Sequence, residues 1–286
     1  MHCLPNSDKA AEPLQTEQAG RIFIWSDYRN WTATILKLVQ HSVPGGDYKA
    51  ILLDPRGYFE TMRPAGLGNA TERFHQVYSS IRMFHACRTD DVESYLLEGL
   101  RPLDTKHQLG RAKALFLTNQ FPKLREEDLL KETNELATQG RENRLCLVAD
   151  DANLISYAGH YLIYGSEFLA ALSSRLDSYK GTDCLSFLRT IGIPTMFVCD
   201  IPISSVPEPQ LANFLVELIV RAVETPAYVA GDIPSIDFTF TFNHSIPARF
   251  IVSHYHPTRI YDRLLGGVYI PDRQSYLCCS NGVNGQ

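Results

Sequence analysis

The chain has 286 residues, of which 44% are hydrophobic and 21% are charged, values typical of a globular protein with a sizeable core. Its 27 Lys and Arg residues are outnumbered by 32 Asp and Glu residues, which gives a formal net charge of -5. Proteins that hold duplex nucleic acid mainly through phosphate contacts usually have a basic excess. The charge therefore argues against that class without excluding a local basic patch.

The cysteines and the N-terminal residues indicate the compartment. The seven cysteines are scattered and form no CxxC pair, so the sequence predicts neither a zinc site nor a disulfide framework. The first twenty residues are polar and lack the apolar segment of a secretory signal. No apolar run approaches the length of a membrane span. We therefore expect a reduced, cytoplasmic protein with no membrane partner and no metal.

The hydrophobic pattern predicts strands interleaved with helices of varied length. The predicted strands cover residues 21–25, 49–53, 81–87, 114–118, 145–148, 160–164, 194–203, 237–242 and 250–252. The predicted helices cover residues 27–40, 90–100, 123–142, 150–157, 168–176 and 209–222, and residues 55–71 are predicted as loop. The Gly-rich fingerprints GxGxxG and GxxxxGK(S/T) do not occur, so a Rossmann or P-loop nucleotide site is not expected.

The organisation into domains follows from where the motifs lie. We expect a flexible leader over residues 1–20, an N-terminal extension over 21–80, a catalytic domain over 81–270 and a loose tail over 271–286. No sharp change in composition divides the chain further, and no internal repeat is evident.

The first motif is the sequence FHACR at residues 84–88. It places His85 near the end of a predicted strand, followed by the small residues Ala86 and Cys87 and by Arg88. A capping-box pattern comes next and predicts a short helix. A strand edge with one polar anchor and small neighbours suits a narrow binding slot. The same pattern is equally compatible with a core or edge histidine that has no catalytic role.

Two further segments carry polar residues at the ends of predicted elements. The predicted strand 114–118 ends on Thr118, which by itself is a common pattern. The sequence YGSEF contains Tyr164, Ser166 and Glu167. Glu167 is either a functional carboxylate or a favourable acidic residue in the first turn of a helix capped by Ser166.

Together, the three segments resemble the motifs of the ADP-ribosyltransferase superfamily, in its toxin-like and poly(ADP-ribose)-polymerase-like forms. In that family a strand ending in His-Gly-Thr runs into a short helix closed by Gly-Leu, and a later Glu follows a small residue. Here Ala86 occupies the position of the usual Gly, and Cys87 occupies the position where the family has Thr or Ser. The resemblance implies an α+β fold with a split β-sheet core and flanking helices, in which two small sheets pack face to face around NAD.

The resemblance also implies a role for each residue, with an imidazole and a carboxylate facing each other across a dinucleotide-sized slot. At the nicotinamide end, His85 anchors the ribose, and the backbone of Ala86 and Cys87 holds the carboxamide. Arg88 contacts the phosphates, Thr118 and Tyr164 line the pocket, and Ser166 orients the site. Glu167 stabilises the oxocarbenium-like transition state.

A second register of the resemblance stays open. The strand 194–203 then matches the family strand that follows the second motif, and the strands 237–242 and 250–252 close the sheet. The carboxylate in that register is Asp237, a departure from Glu that puts efficient transfer in doubt.

The activity implied is mono-ADP-ribosyl transfer from NAD to a macromolecular acceptor, either nucleic acid or protein. Bacterial members of the family are often toxins or phage-defence effectors, so an antitoxin or inhibitor protein is a further expected partner. The alternatives are a catalytically silent module that binds a nucleotide, ADP-ribose or a protein, and an NAD glycohydrolase that uses water as the acceptor.

Overall fold

The structure, a computed structural model, describes residues 20–62, 66–137, 140, 142–224 and 235–271. Its main sheet has six strands, in the order β5-β3-β2-β4-β6, and β1 pairs in parallel with the start of β2. The strands are β1 Ile22–Phe23, β2 Ser80–Thr89, β3 Leu145–Val148, β4 Ile193–Pro202, β5 Thr239–Phe242 and β6 Ile251–Tyr255. Two further strands, β7 Ile260–Tyr261 and β8 Val268–Tyr269, form a separate antiparallel ribbon.

Twelve α-helices are found within the described residues. They are α1 Tyr28–Gln40, α2 Gly45–Leu53, α3 Pro55–Met62, α4 Ala70–Val77, α5 Val92–Glu98, α6 Thr105–Phe116, α7 Glu126–Ala137, α8 Asp151–Ser156, α9 His160–Tyr164, α10 Glu167–Lys180, α11 Cys184–Leu188 and α12 Glu208–Glu224. Helices thus accompany a largely antiparallel sheet, which agrees with the predicted α+β class. None of the described helices combines the length and the apolar character needed to cross a bilayer.

The main sheet separates two hydrophobic cores, because side chains of a strand point alternately to its two faces. From β2, Ile81, Met83 and Cys87 enter the first core, whereas Phe84 and Ala86 pack against the second. The first core also receives side chains from α1, α4 and α12, and the second from α6, α7, α9 and α10. The described strands therefore form one main sheet with helices on both faces, not two sheets packed face to face as the resemblance implies.

Four segments differ from the sequence prediction. The predicted strand 49–53 lies in α2, and the predicted loop 55–71 contains α3 and the start of α4. The predicted strand 114–118 is the end of α6 and the turn after it, and 160–164 forms α9. Short apolar runs do not distinguish a strand from a buried helix. In α6 the helix begins earlier, at an N-cap formed by Asp104, so the run continues a helix already started.

Phe23 joins the N-terminal helices to the sheet. The side chain is 1% exposed, and four other aromatic rings surround it. Their centroids lie 5.3 to 5.7 Å away and belong to Trp31, Phe74, Tyr78 and Phe214. The described residues of the N-terminal extension, 21–62 and 66–80, thus share the first core with the sheet. The predicted leader and tail lie, apart from Gly20 and Pro271, outside the described residues.

We expect Phe23→Ala to lower the free energy of unfolding by about 3–5 kcal/mol, because four fixed rings cannot close around the cavity. Urea unfolding followed by tryptophan fluorescence measures the change. The control is Leu53→Ala, at a side chain that is 86% exposed, where we expect a change within about 0.5 kcal/mol. A loss below about 1 kcal/mol for Phe23→Ala would show that this contact does not hold the N-terminal helices.

Candidate functional site

The candidate site arises where β2 loses one of its two neighbours. On one side β2 pairs with β4 along its whole length, from Ser80 to Thr89. On the other side it pairs with β3 at Phe84 alone, opposite Val148. Residues 85–89 therefore form an edge, here called the open edge, which no other described strand covers on the side away from β4. Unpaired strand edges present both N–H donors and C=O acceptors.

His85 lies at the start of the open edge. Its Nδ1 is 3.0 Å from the carbonyl oxygen of Cys146 in β3, so a side chain spans the point where the two strands separate. Burial lowers the pKa of His85, and the Cys146 carbonyl only partly opposes that shift. Because a carbonyl can only accept, Nδ1 carries the proton of the neutral ring, and Nε2 is left as an acceptor.

Glu167 lies at the start of α10, directly after its N-cap. Ser166 Oγ accepts a hydrogen bond from the backbone N–H of Leu169 at 3.2 Å, as the capping interpretation predicts. The Glu167 side chain is exposed, and Tyr161 Oη donates to its Oε2 at 3.3 Å. The carboxylate is thus oriented by a neighbouring hydroxyl while it stays accessible from solvent.

The charge of Glu167 reaches two other groups near β3 and α9. Partial burial raises the pKa of the Cys146 thiol, and Glu167 raises it further. Burial lowers the pKa of His160, and Glu167 opposes that shift. The ring centroids of His160 and Tyr161 are 4.2 Å apart. These residues form a polar cluster around the carboxylate.

His85 and Glu167 approach Cys146 from opposite faces of the sheet. His85 alternates with Phe84 and Ala86, which pack against the second core, so its side chain leaves β2 on the first-core face. Glu167 belongs to α10, whose buried side chains lie in the second core. The imidazole and the carboxylate therefore do not face each other directly, in contrast to the expected arrangement. What they share is Cys146 of β3, whose carbonyl oxygen contacts His85 and whose thiol pKa is raised by the charge of Glu167, beside the gap between β2 and β3.

Arg88 is buried and bonded within the protein. Its Nε donates to the carbonyl oxygen of Ile191 at 2.7 Å, and one Nη donates to the carbonyl oxygen of Arg189. Its guanidinium also lies 5.7 Å from the ring centroid of Tyr269. The expected contact of Arg88 with phosphates does not fit this position, because a 5% exposed side chain bonded to main-chain carbonyls cannot reach a ligand without leaving them.

Tyr164 and Thr118 do not wall the gap. Tyr164 is 1% exposed and donates to Asp262 Oδ2 at 2.7 Å, and burial together with this bond raises its pKa. Thr118 is exposed in the turn after α6. Near the other end of α6, Gln108 Oε1 accepts from Ser166 Oγ at 3.3 Å. At a rise of about 1.5 Å per residue, Thr118 lies more than about 12 Å beyond Gln108.

The remaining predicted residues are placed as follows. Ala86 packs on the second core, and Cys87 is a buried thiol whose pKa burial raises to about 12, with Tyr95 and Arg111 opposing the shift. Such a group is a thiol and not a nucleophile at neutral pH. Asp237 is exposed before β5 and accepts from Asn153 Nδ2 at 2.9 Å. Because β3 lies between β5 and β2, Asp237 belongs to another edge of the sheet.

The described residues contain no group of three or more His, Cys, Asp and Glu side chains gathered closely enough to hold a metal ion. A surface concavity of about 580 Å³ lies away from the gap, beside Phe121 and Phe187, and none of the predicted site residues line it. Sequence reasoning missed Tyr161, His160 and Cys146, because 160–164 was assigned to a strand and Cys146 carries no local signal.

We expect His85 to stay neutral at pH values at which an ordinary histidine, with a pKa of about 6.5, becomes protonated. Because its folded-state pKa is lowered, the unfolded chain binds the proton first, and stability falls as the pH drops below about 6.5. His85→Asn should flatten this loss between pH 7 and pH 5 in urea unfolding. His107→Asn, at an exposed position on α6, should keep the wild-type dependence. An unchanged slope for His85→Asn contradicts the buried neutral imidazole.

No protein-family model, no curated protein and no solved structure gives a significant match to the chain. The function must therefore be inferred from the open edge, the polar cluster around Glu167 and the chemistry that these groups can perform.

Proposed function

We propose that the protein transfers ADP-ribose from NAD to a macromolecular acceptor, either nucleic acid or protein. The observation that carries the proposal is the separation of β2 from β3 after Phe84, which leaves residues 85–89 as an open edge near Glu167. The resemblance implies NAD in a cleft between two small sheets, and in this single main sheet we assign the ligand instead to the gap between β2 and β3. The setting that goes with it is a toxin or phage-defence effector restrained by an antitoxin or inhibitor protein.

The open edge suits the nicotinamide end of NAD. A carboxamide has both donors and an acceptor, and an unpaired strand edge offers the complementary set. Ala86 adds only a methyl group there, and His85 and Ala86 are the partly exposed residues of this edge, since residues 87–89 are 5–9% exposed. His85, neutral and bonded through Nδ1 to the Cys146 carbonyl, can accept a hydrogen bond from a ribose hydroxyl at Nε2.

Glu167 supplies the charge that the reaction needs. When the bond between ribose C1′ and the nicotinamide nitrogen breaks, its electron pair leaves with nicotinamide and positive charge develops on the ribose. A carboxylate stabilises that charge, as it does in glycoside cleavage. The acceptor then forms a bond to C1′ and gives its proton to Glu167 acting as general base. The Tyr161 hydroxyl keeps Oε2 oriented during both steps.

A different observation favours a catalytically silent binding module. The imidazole and the carboxylate approach β3 from opposite faces, so a bound dinucleotide contacts both only by crossing the open edge. The exposure of Glu167 equally suits water as the acceptor, which gives an NAD glycohydrolase. The three functions differ in their products. A transferase gives nicotinamide and a modified acceptor, and an NAD glycohydrolase gives nicotinamide and free ADP-ribose. A binding module releases neither.

We expect Glu167→Gln to reduce nicotinamide release from NAD by about 100-fold or more, because the amide keeps the shape but not the charge of the carboxylate. The measurement follows nicotinamide and labelled acceptor together, with single-stranded DNA, RNA and protein as acceptors. Asp237→Asn is the matched control and should keep wild-type release. Loss of release in Asp237→Asn alone would move the carboxylate to the second register. No release by the wild type with any of these acceptors would support the binding module.

A further inference from the structure

The antiparallel ribbon of β7 and β8 has one buried face and one exposed face. Ile260 is fully buried, and both it and its strand partner Tyr269 pack in or against the second core. Tyr261 pairs with Val268, and both point the other way, because successive side chains of a strand alternate between its faces. The exposed side of the ribbon and its turn carries five large apolar side chains, each 42% to 66% exposed and together called the ribbon surface: Tyr261, Leu264, Leu265, Val268 and Ile270.

The density of these side chains distinguishes the ribbon surface from ordinary exposed apolar residues. Single exposed apolar side chains are normal, whereas a contiguous patch with a polar rim is typical of an interaction surface. Tyr157 of α8 is exposed beside the ribbon and extends the patch, since the guanidinium of Arg263 lies 4.8 Å from its ring centroid. The ribbon surface is therefore a candidate docking site.

The ribbon surface is fixed from below by a buried carboxylate and by a close backbone contact. Asp262 Oδ1 accepts the backbone N–H groups of Leu264 at 3.0 Å and of Leu265 at 3.1 Å. At Gly159, between α8 and α9, an added Cβ would collide with the carbonyl oxygen of Tyr261, so the two backbones lie in direct contact. A partner thus meets side chains whose backbone is already ordered, which lowers the entropic cost of binding.

The charges around the ribbon surface are positive. Arg259 and Arg263 are exposed on either side of Tyr261 in the chain, whereas Asp262, the one acidic residue of segment 257–271, is 2% exposed. A second copy docked by two-fold symmetry would bring the same arginines together, because both copies then use the same patch. Recognition of anionic lipid usually takes a cluster of about four to eight cations, and the net charge of -5 opposes adsorption. The charge therefore favours an acidic protein partner.

We infer that the ribbon surface docks a protein segment that presents apolar side chains flanked by carboxylates. The apolar side chains cover the exposed leucines, and the carboxylates pair with Arg259 and Arg263, whose planar guanidinium groups suit two-point contacts. Tyr and Arg are also the residues that most often dominate the binding energy of protein interfaces. The inference does not rest on the proposed function, because it uses neither the open edge nor Glu167.

The test selects a library of random peptides on the immobilised full chain and titrates the selected peptides by fluorescence anisotropy. We expect these peptides to combine Asp or Glu with large apolar residues. Leu265→Asp and Arg263→Glu should each weaken their binding at least tenfold, because a carboxylate on the ribbon surface repels those of the peptide. The matched controls are Leu53→Asp on α2 and Arg29→Glu on α1, the same changes at exposed positions elsewhere, for which we expect affinities within twofold of the wild type.

Urea unfolding checks that each variant is folded, and Ile270→Asp replaces Leu265→Asp if the latter does not fold. The inference is overturned if no peptide is selected, if the selected peptides lack acidic residues, or if they bind folded Leu265→Asp as tightly as the wild type.

Two other occupants give distinct results. Self-association in analytical ultracentrifugation that Leu265→Asp abolishes would assign the ribbon surface to a second copy of the chain. Sedimentation with vesicles of phosphatidylcholine and phosphatidylserine that the same variant abolishes would assign it to a membrane. Either result overturns the assignment to an acidic protein segment, and neither bears on NAD cleavage.

Discussion

The incomplete pairing of β2 is the constraint on which the rest of the site depends. A central strand has backbone donors and acceptors on both edges, and leaving buried ones unpaired costs free energy. β4 satisfies one edge throughout, whereas β3 meets the other at Phe84 and then separates from it. His85 fills the first position of the gap through its contact with the Cys146 carbonyl. Beyond that contact, Ala86 is partly exposed, whereas Cys87, Arg88 and Thr89 are buried.

A buried polar network fixes the far end of β2 and the turn that carries the candidate carboxylate. Arg88 lies against the ring of Tyr269 in the C-terminal ribbon, and Tyr164 donates to Asp262 in the same segment. Tyr164 ends α9, and Gly165 follows with a φ of +87°, a conformation that favours glycine. The chain can therefore turn at once into the N-cap of α10. Residues that the resemblance assigns to ligand contacts instead form the frame that orients the next helix.

The two-faced burial of the sheet explains why the imidazole and the carboxylate are separated. Apolar side chains alternate on β2, and each set is covered by its own group of helices. A side chain on one face can meet a side chain from the other only where a strand is missing. The gap between β2 and β3 is that place in the described part of the chain, and Gln108 of α6 accepts a hydrogen bond from Ser166, in the turn before Glu167.

The sequence by itself determined the elements whose signals are local. The strands β2, β3 and β4 and the helices α1 and α12 follow their periodicity, and Ser166 is the cap that its position before Glu167 indicates. The short apolar runs 114–118 and 160–164 were predicted as strands and are helical or in the turn after a helix, because helix and strand bury such runs equally well. Only the tertiary structure decided that Arg88 turns inward and donates to the carbonyl oxygens of Ile191 and Arg189. These carbonyls lie about a hundred residues away in the sequence, and strand pairing and helix packing alone bring them to Arg88.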